Sequence, residues 1–269
     1  MYTPPSAPRS IGGVLDDTIQ LYKTSFTACV IASTFLALLA FGLGLYTRPH
    51  SPATHNLQPL AQQLAALATA VPPHVMPVYL VYLVLAALGY LVMLVQVTRV
   101  AGGETALPLG AAIGRAAGRL PATIGAGILF LIFIIVGTVL LIIPGVYLWN
   151  RLQLFAVPLV AEGVGVEGSL SRSWHMVAGH WWRTATIIGV IFIILLVLDL
   201  LIAPVAAALF FILHADVAGT LLITQALEAV LRVFTTPLVI ATLVAIYGDL
   251  RLRKEGADIE ARMGGAQRS

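Results

Sequence analysis

The chain has 269 residues, of which 59% are hydrophobic and only 10% charged, against about a quarter charged in an ordinary soluble domain. A water-soluble fold of that length cannot hide so much apolar surface, so the chain reads as an integral membrane protein. The lone cysteine, Cys29, excludes a disulfide framework and a cysteine metal site, and the net charge of +3 comes from cations in short segments beside apolar runs, the pattern of membrane topology and not of nucleic-acid binding.

The opening MYTPPSAPRS lacks the charged-then-apolar signature of a cleaved signal peptide, so the first apolar run is expected to stay as an anchor. Ser10 is placed to cap a helix over 10–24. Its apolar stripe is Ile11, Val14, Leu15, Ile19, Tyr22 and, just beyond, Phe26, with Asp16, Asp17, Gln20 and Lys23 facing elsewhere. A crossing helix needs roughly 20 apolar residues, and the stretch 26–46 supplies them. The segment 49–76 is expected as a long external loop carrying a short surface helix from Leu57 to Ala70, followed by a span over 77–98.

A second interfacial helix is expected over 104–120, with Leu109, Ile113, Ala116 and Leu120 on one stripe and Arg115 and Arg119 on another. Gly110, Gly114 and Gly118 share a face there. They either admit a second helix closely or simply accumulate in an alanine-rich segment. Spans over 121–143 and 146–161 follow, separated by Pro144 and Gly145, read as the reversal of a helical hairpin. A third interfacial helix over 166–182 carries Val166, Leu170, Trp174, Val177 and Trp181, and spans over 184–213 and 219–247 complete the chain. The reading is a single all-α membrane domain over 1–269, with about six crossings and a cytoplasmic interfacial helix feeding each outward-going span.

Distributing the loop cations over alternate sides tests this assignment independently of hydropathy. One side receives Arg9, Lys23, Arg99, Arg115, Arg119, Arg172, Arg183, Arg251, Arg253, Lys254, Arg262 and Arg268; the other receives Arg48 alone. Cations favour the cytoplasmic side, so both termini are expected there.

Three stretches carry a family resemblance: RSIGGVLDDTIQLYKTSF at the start, IIPGVYLWNRLQLFAVPLVAEG with SLSRSWHMVAGHWWR in the middle, and YGDLRLRKEGADIE near the end. In this order they resemble the glycerophosphoryl diester phosphodiesterase membrane domain family. The resemblance implies a multi-pass fold in a bacterial inner membrane. It implies no hydrolase activity, because the matching residues are those of the membrane part.

Four ionisable residues fall inside the expected spans, where a charge costs a few kcal/mol on insertion scales and marks a functional candidate. They are Arg151, Asp199, Glu228 and Arg232. Asp199 and Arg232 are expected at matched depth and within pairing reach, with Glu228 one turn from Arg232. Such a cluster either binds a lipid headgroup or an ion, or closes on itself and fixes helix register. Arg151 can reach the outer surface, contact a phosphate there, or pair with Asp199 or Glu228.

Beside the membrane, Tyr247, Asp249, Arg251, Arg253, Lys254 and Glu255 follow the last span, and Asp249 is placed to accept a guanidinium fork from Arg172 or Arg183. This group is either a basic topogenic flank contacting anionic lipid or a cytoplasmic clasp. No His-Glu-x-x-His pair, Gly-x-Ser-x-Gly elbow or P-loop occurs in the sequence, and no cofactor or metal is expected. Membrane lipid or another membrane protein is the expected partner, nucleic acid is not, and the two functional expectations are a non-enzymatic module organising lipid or protein and a small transporter or lipid translocator.

Overall fold

The computed structural model describes residues 2–47, 75–214 and 216–266. Within them the chain forms α1 (Ile11–Tyr46), α2 (Met76–Ala101), α3 (Leu109–Leu140), α4 (Ile142–Leu152), α5 (Ala156–Ala161), α6 (Val166–Val177), α7 (Trp181–Leu200), α8 (Ile202–Leu213) and α9 (Val217–Ala266). Five stretches are long and apolar enough to cross a membrane: α1, α2, α3, α7 with α8, and α9. This is the build of a multi-pass membrane protein. The expected surface helix Leu57–Ala70 lies outside the described residues.

Ser10 caps α1 as its residue type predicts, its hydroxyl accepting the Gly13 N–H at 3.1 Å. The expected interfacial helix 10–24 and span 26–46 are, however, one unbroken helix of roughly 54 Å. The polar residues at the junction do not stop it, because the hydroxyls of Thr24 and Ser25 donate back to the carbonyls of Gln20 (2.9 Å) and Leu21 (2.7 Å). Its first turns therefore continue the axis of the span instead of lying across it.

α2 and α9 flank α1, and these three helices hold the densest core: Leu21, Leu91, Leu94, Ile240, Ile246 and Leu250 are fully buried between them. Phe26 stacks on Phe234 at 5.7 Å. The side-chain amide of Gln96 both donates to the Leu107 carbonyl and accepts its N–H, each at 2.8 Å. That pair satisfies a buried amide and starts α3 beside the lower part of α2.

α3 likewise joins the expected interfacial helix 104–120 to the expected span 121–143, running through Pro121. Ala112 and Ala116 are its buried face. A side chain added at Gly110, Gly114 or Gly118 would meet open space, so no described element of this chain uses the glycine stripe for close approach.

The hairpin also departs from expectation. The reversal is made by Leu141, extended at φ −164°, ψ 145°, and not by Pro144 and Gly145. Pro144 lies in the first turn of α4, where its missing N–H costs no intrahelical bond. Gly145 serves close packing, since a Cβ there would come within 2.2 Å of Thr138 Oγ1. The expected fourth span 146–161 is two short helices, α4 and α5, interrupted at 153–155.

Gly179, at φ 81°, turns the chain from α6 into α7, so the third amphipathic segment is a separate helix ending at Val177. The break between α7 and α8 has a proline cause: Pro204 cannot donate to the carbonyl of Leu200, and the helix is interrupted at Leu201. The expected span 219–247 and the tail beyond it are both part of α9.

Candidate functional site

Asp249 is the organising residue at the end of the molecule that carries the N-terminus. It is only 4% exposed, too buried for a lone carboxylate, and its oxygens are fully engaged. Oδ1 accepts the Arg9 backbone N–H at 2.9 Å, and Oδ2 accepts Nε of Arg183 and of Arg253, each at 3.0 Å. Each of these guanidiniums also donates through Nη2 to the Arg9 carbonyl. The backbone of one residue of the N-terminal segment, its N–H and its carbonyl, is thus clamped by an acid and two arginines. Continuation of α9 through the tail is what makes Arg253 available, one turn beyond Asp249. Of the two expected partners of Asp249, the structure brings up Arg183.

Arg172 goes elsewhere. Its Nε and Nη2 form a fork on Glu162 at 3.1 and 3.2 Å, and Nη2 reaches Glu255 at 2.9 Å. Tyr247 donates its hydroxyl to Glu162, and Arg251 closes onto Glu255 at 2.9 Å. The two networks, carried on successive turns of α9, tie α1, α6, α7 and the end of α5 together. Sequence reasoning missed Glu162 and Arg9. Glu162 had a signal, being the one acid in the apolar stretch 142–166; Arg9 acts mainly through its backbone, which leaves no signature.

Burial pushes the Glu162 carboxyl up, but the hydrogen bonds from Tyr247 and Arg172 and the charges of Arg172 and Arg251 outweigh it and hold the group below its ordinary value of 4.5. A carboxyl lowered by folding contributes stability that is present above that ordinary value and lost as pH falls through the lowered one. Thermal midpoints in detergent, taken from neutral pH down to about pH 3, should therefore fall below the ordinary carboxylate range. The Glu162→Gln protein should start lower and show a flatter acid limb; an identical limb would mean that other groups carry the acid sensitivity.

The clasp also sets the register of the membrane part. Asp199 is 16 residues beyond Arg183 and Arg232 is 17 residues before Asp249, roughly 24 and 26 Å along their helices. Pairing of Arg183 with Asp249 therefore brings Asp199 and Arg232 to one level. There they line a cleft of about 290 Å³ with Glu228, Phe192, Leu195 and Thr235. The expected Asp199–Arg232 ion pair is not formed: Arg232 pairs at 3.7 Å with Glu228 on its own helix, and Asp199 makes no ion pair among the described residues. The reason is packing. α7 is exposed along most of its length at this level, and the cleft keeps the carboxylate apart from the guanidinium. A second cleft, between α1 and α9, reaches the same Glu228 and Arg232 from the other side and includes Ala37, Phe41 and Gln225.

Arg151 does not join this cluster. Its guanidinium lies over Trp174 at 4.3 Å and Tyr147 at 5.1 Å and donates to the Trp174 carbonyl at 3.3 Å. Ser173 donates to the Arg151 carbonyl at 2.8 Å, fixing α4 on α6. Trp174 and Trp181 each pack on Tyr147, and the indole most open to its surroundings is Trp182, 78% exposed.

A family model described as a domain of unknown function, DUF7847, matches residues 30–250, a stretch that includes α2 to α8, both clefts and Asp249. No curated protein and no solved structure matches the chain.

Proposed function

The chain belongs to the DUF7847 family, and from that premise we propose that it is a non-enzymatic membrane protein that handles lipid, taking a zwitterionic phospholipid headgroup into the cleft of Asp199, Glu228 and Arg232. The observation that carries this reading is the openness of that cleft. A self-neutralised pair would fit a passive module that organises lipid or a partner, whereas two acids and one arginine along an open cleft leave charge for a ligand to satisfy. A charge within the hydrocarbon costs up to about 2.5–3.5 kcal/mol on insertion scales, so a headgroup whose ammonium pairs with the Asp199 carboxylate, unpaired among the described residues, is favoured. A phosphate suits Arg232 as a charge-assisted acceptor, and an ammonium suits Asp199 and Glu228.

Cations at the clasp end put both termini in the cytoplasm on this proposal. The resemblance to the phosphodiesterase membrane domain family adds a bacterial inner-membrane location and no hydrolysis. Lipids retained after mild detergent extraction test the function. An amine-bearing phospholipid should remain bound, and Arg232→Leu or Asp199→Asn should weaken its retention roughly 10-fold or more, the loss of one hydrogen bond to a charged group. Equal retention by all three proteins would overturn the reading.

A further inference from the structure

The α3–α4 hairpin is apolar enough to cross a membrane, yet its hydrogen bonds to other elements lie at one end of the molecule. No charged residue occurs from Leu120 to Asn150, and the α3 arm runs roughly 30 Å from Pro121 to the tip, so neither composition nor the length of that arm decides its course. Its root is fixed where the Arg119 guanidinium donates to the Gly163 carbonyl at 3.0 Å, beside Glu162 and its partner Tyr247. Nearer the tip, Trp181 donates to the Tyr147 carbonyl at 3.4 Å and stacks on its ring at 6.0 Å, while Asn150 donates to the Trp181 carbonyl at 3.0 Å. Trp181 is two residues from Arg183, the partner of Asp249. Tyr147 lies 16 residues before Gly163, with the break at 153–155 between them, and both points meet the level of the clasp.

The faces of α4 agree. Tyr147 and Asn150 rest on the first residue of α7, and Arg151 rests on Trp174. Trp149, on the other side of α4, and Gln153, just past its end, face Ile188, Ile191 and Leu195 across a cavity of about 310 Å³. A helix antiparallel to α7 would meet successive turns in order; α4 instead crosses α7 near its base. Beyond the crossing, Val139 to Ile143 stand open, up to 81% exposed at Ile143, and Ile142 and Ile143 share a cleft with Trp182.

We propose that the α3–α4 hairpin is embedded in the leaflet adjoining the termini, its tip among the acyl chains of that leaflet, and that it does not cross the bilayer. The membrane is then crossed by α1, α2, α7 with α8, and α9. A hairpin contributes two crossings or none, so the side of the termini is unchanged, and because its tip carries no cation the charge asymmetry is blind to the difference. The uncharged tip, the exposed indole of Trp182 and the exposed Arg115 on the α3 approach to the root match hydrocarbon, interface and phosphate in that order. The inference is independent of the lipid-handling proposal.

Single-cysteine labelling in sealed vesicles of both orientations tests it, with Cys29 buried and silent. Glu104→Cys and Ala218→Cys mark the two faces. Ile142→Cys, and Val139→Cys as a second site, should resist a membrane-impermeant maleimide from either face. A bimane attached to them in detergent before reconstitution should be quenched by nitroxides on lipid acyl chains. Labelling from the Ala218 face would overturn the proposal by showing a crossing. Labelling from the Glu104 face without acyl-chain quenching would overturn it by showing a tip in water.

Discussion

Replacing Asp249 with alanine is expected to destabilise the protein more than any other single substitution of a charged residue, by about 3–5 kcal/mol, the cost of removing one partner from a buried ion pair. The residue is 4% exposed and Arg183 beside it has only 17% of its side chain exposed, so solvent screens neither well. The change strands two guanidiniums, and the Arg9 N–H loses its acceptor. In detergent the thermal midpoint should drop by roughly 10 °C, at a few degrees per kcal/mol for a chain of this size. Asp249→Asn keeps an acceptor without the charge and should fall between. Adding Arg183→Leu to Asp249→Ala should recover part of the loss, because one stranded charge is removed, whereas Arg253, nearer solvent, can turn outward. A midpoint within 2 °C of the parent for Asp249→Ala would mean the clasp is held by packing alone.

The clasp was legible in the sequence as a set of residue types, because cations and acids crowded beside apolar runs have few places to go. Its wiring was not. Arg172 and Arg183 lie eleven positions apart and either reaches the tail; the Gly179 turn and the orientation of α6 decide that one meets Glu162 and the other Asp249. Helix continuity was misread for a related reason. Hydropathy changes at Thr24 and Ser25 and at Pro121, but a change of polarity ends a helix only when the backbone hydrogen bonds have somewhere better to go. The hydroxyls of Thr24 and Ser25, and of Thr123 onto the Arg119 carbonyl at 3.0 Å, bond within their own helices.

In the membrane, the sequence placed Asp199, Glu228 and Arg232 at one level because depth follows from counting residues along helices. Whether they touch depends on the gap between α7 and α9, which no residue pattern encodes. The course of the α3–α4 hairpin was hidden more deeply. An uncharged run satisfies a crossing and a single leaflet equally, and the contacts that separate the two, Tyr147 and Asn150 on Trp181, join residues whose types say only that they are aromatic or polar.

The hairpin offers a second large effect at Gly145. It faces Gly137 across the turn, and a Cβ at Gly145 would lie 2.2 Å from Thr138 Oγ1 and 3.0 Å from Thr138 Cα, while one at Gly137 would lie 2.7 Å from Leu148 Cδ1. Gly145 is not among the positive-φ glycines, so alanine can adopt its backbone conformation and the penalty is steric alone. The clash involves backbone as well as side chain, so rotamer changes cannot relieve it. Gly145→Ala should cost about 1–3 kcal/mol by overpacking, and Gly145→Val more. Gly127→Ala, at a position where a Cβ meets nothing, should be neutral or stabilising by roughly 0.4–1 kcal/mol. The distinguishing variant is Thr138→Gly. If Gly145 serves close approach, Thr138→Gly removes the obstructing Cβ and hydroxyl and should return part of the stability lost in Gly145→Ala, even though glycine alone weakens α3 by about 1 kcal/mol. If Gly145 served only to turn the chain, the two changes would add. The readout is the thermal midpoint together with the fluorescence of Trp181, whose stacking on Tyr147 depends on α4 lying close against α3 and whose emission should shift with Gly145→Val and not with Gly127→Ala.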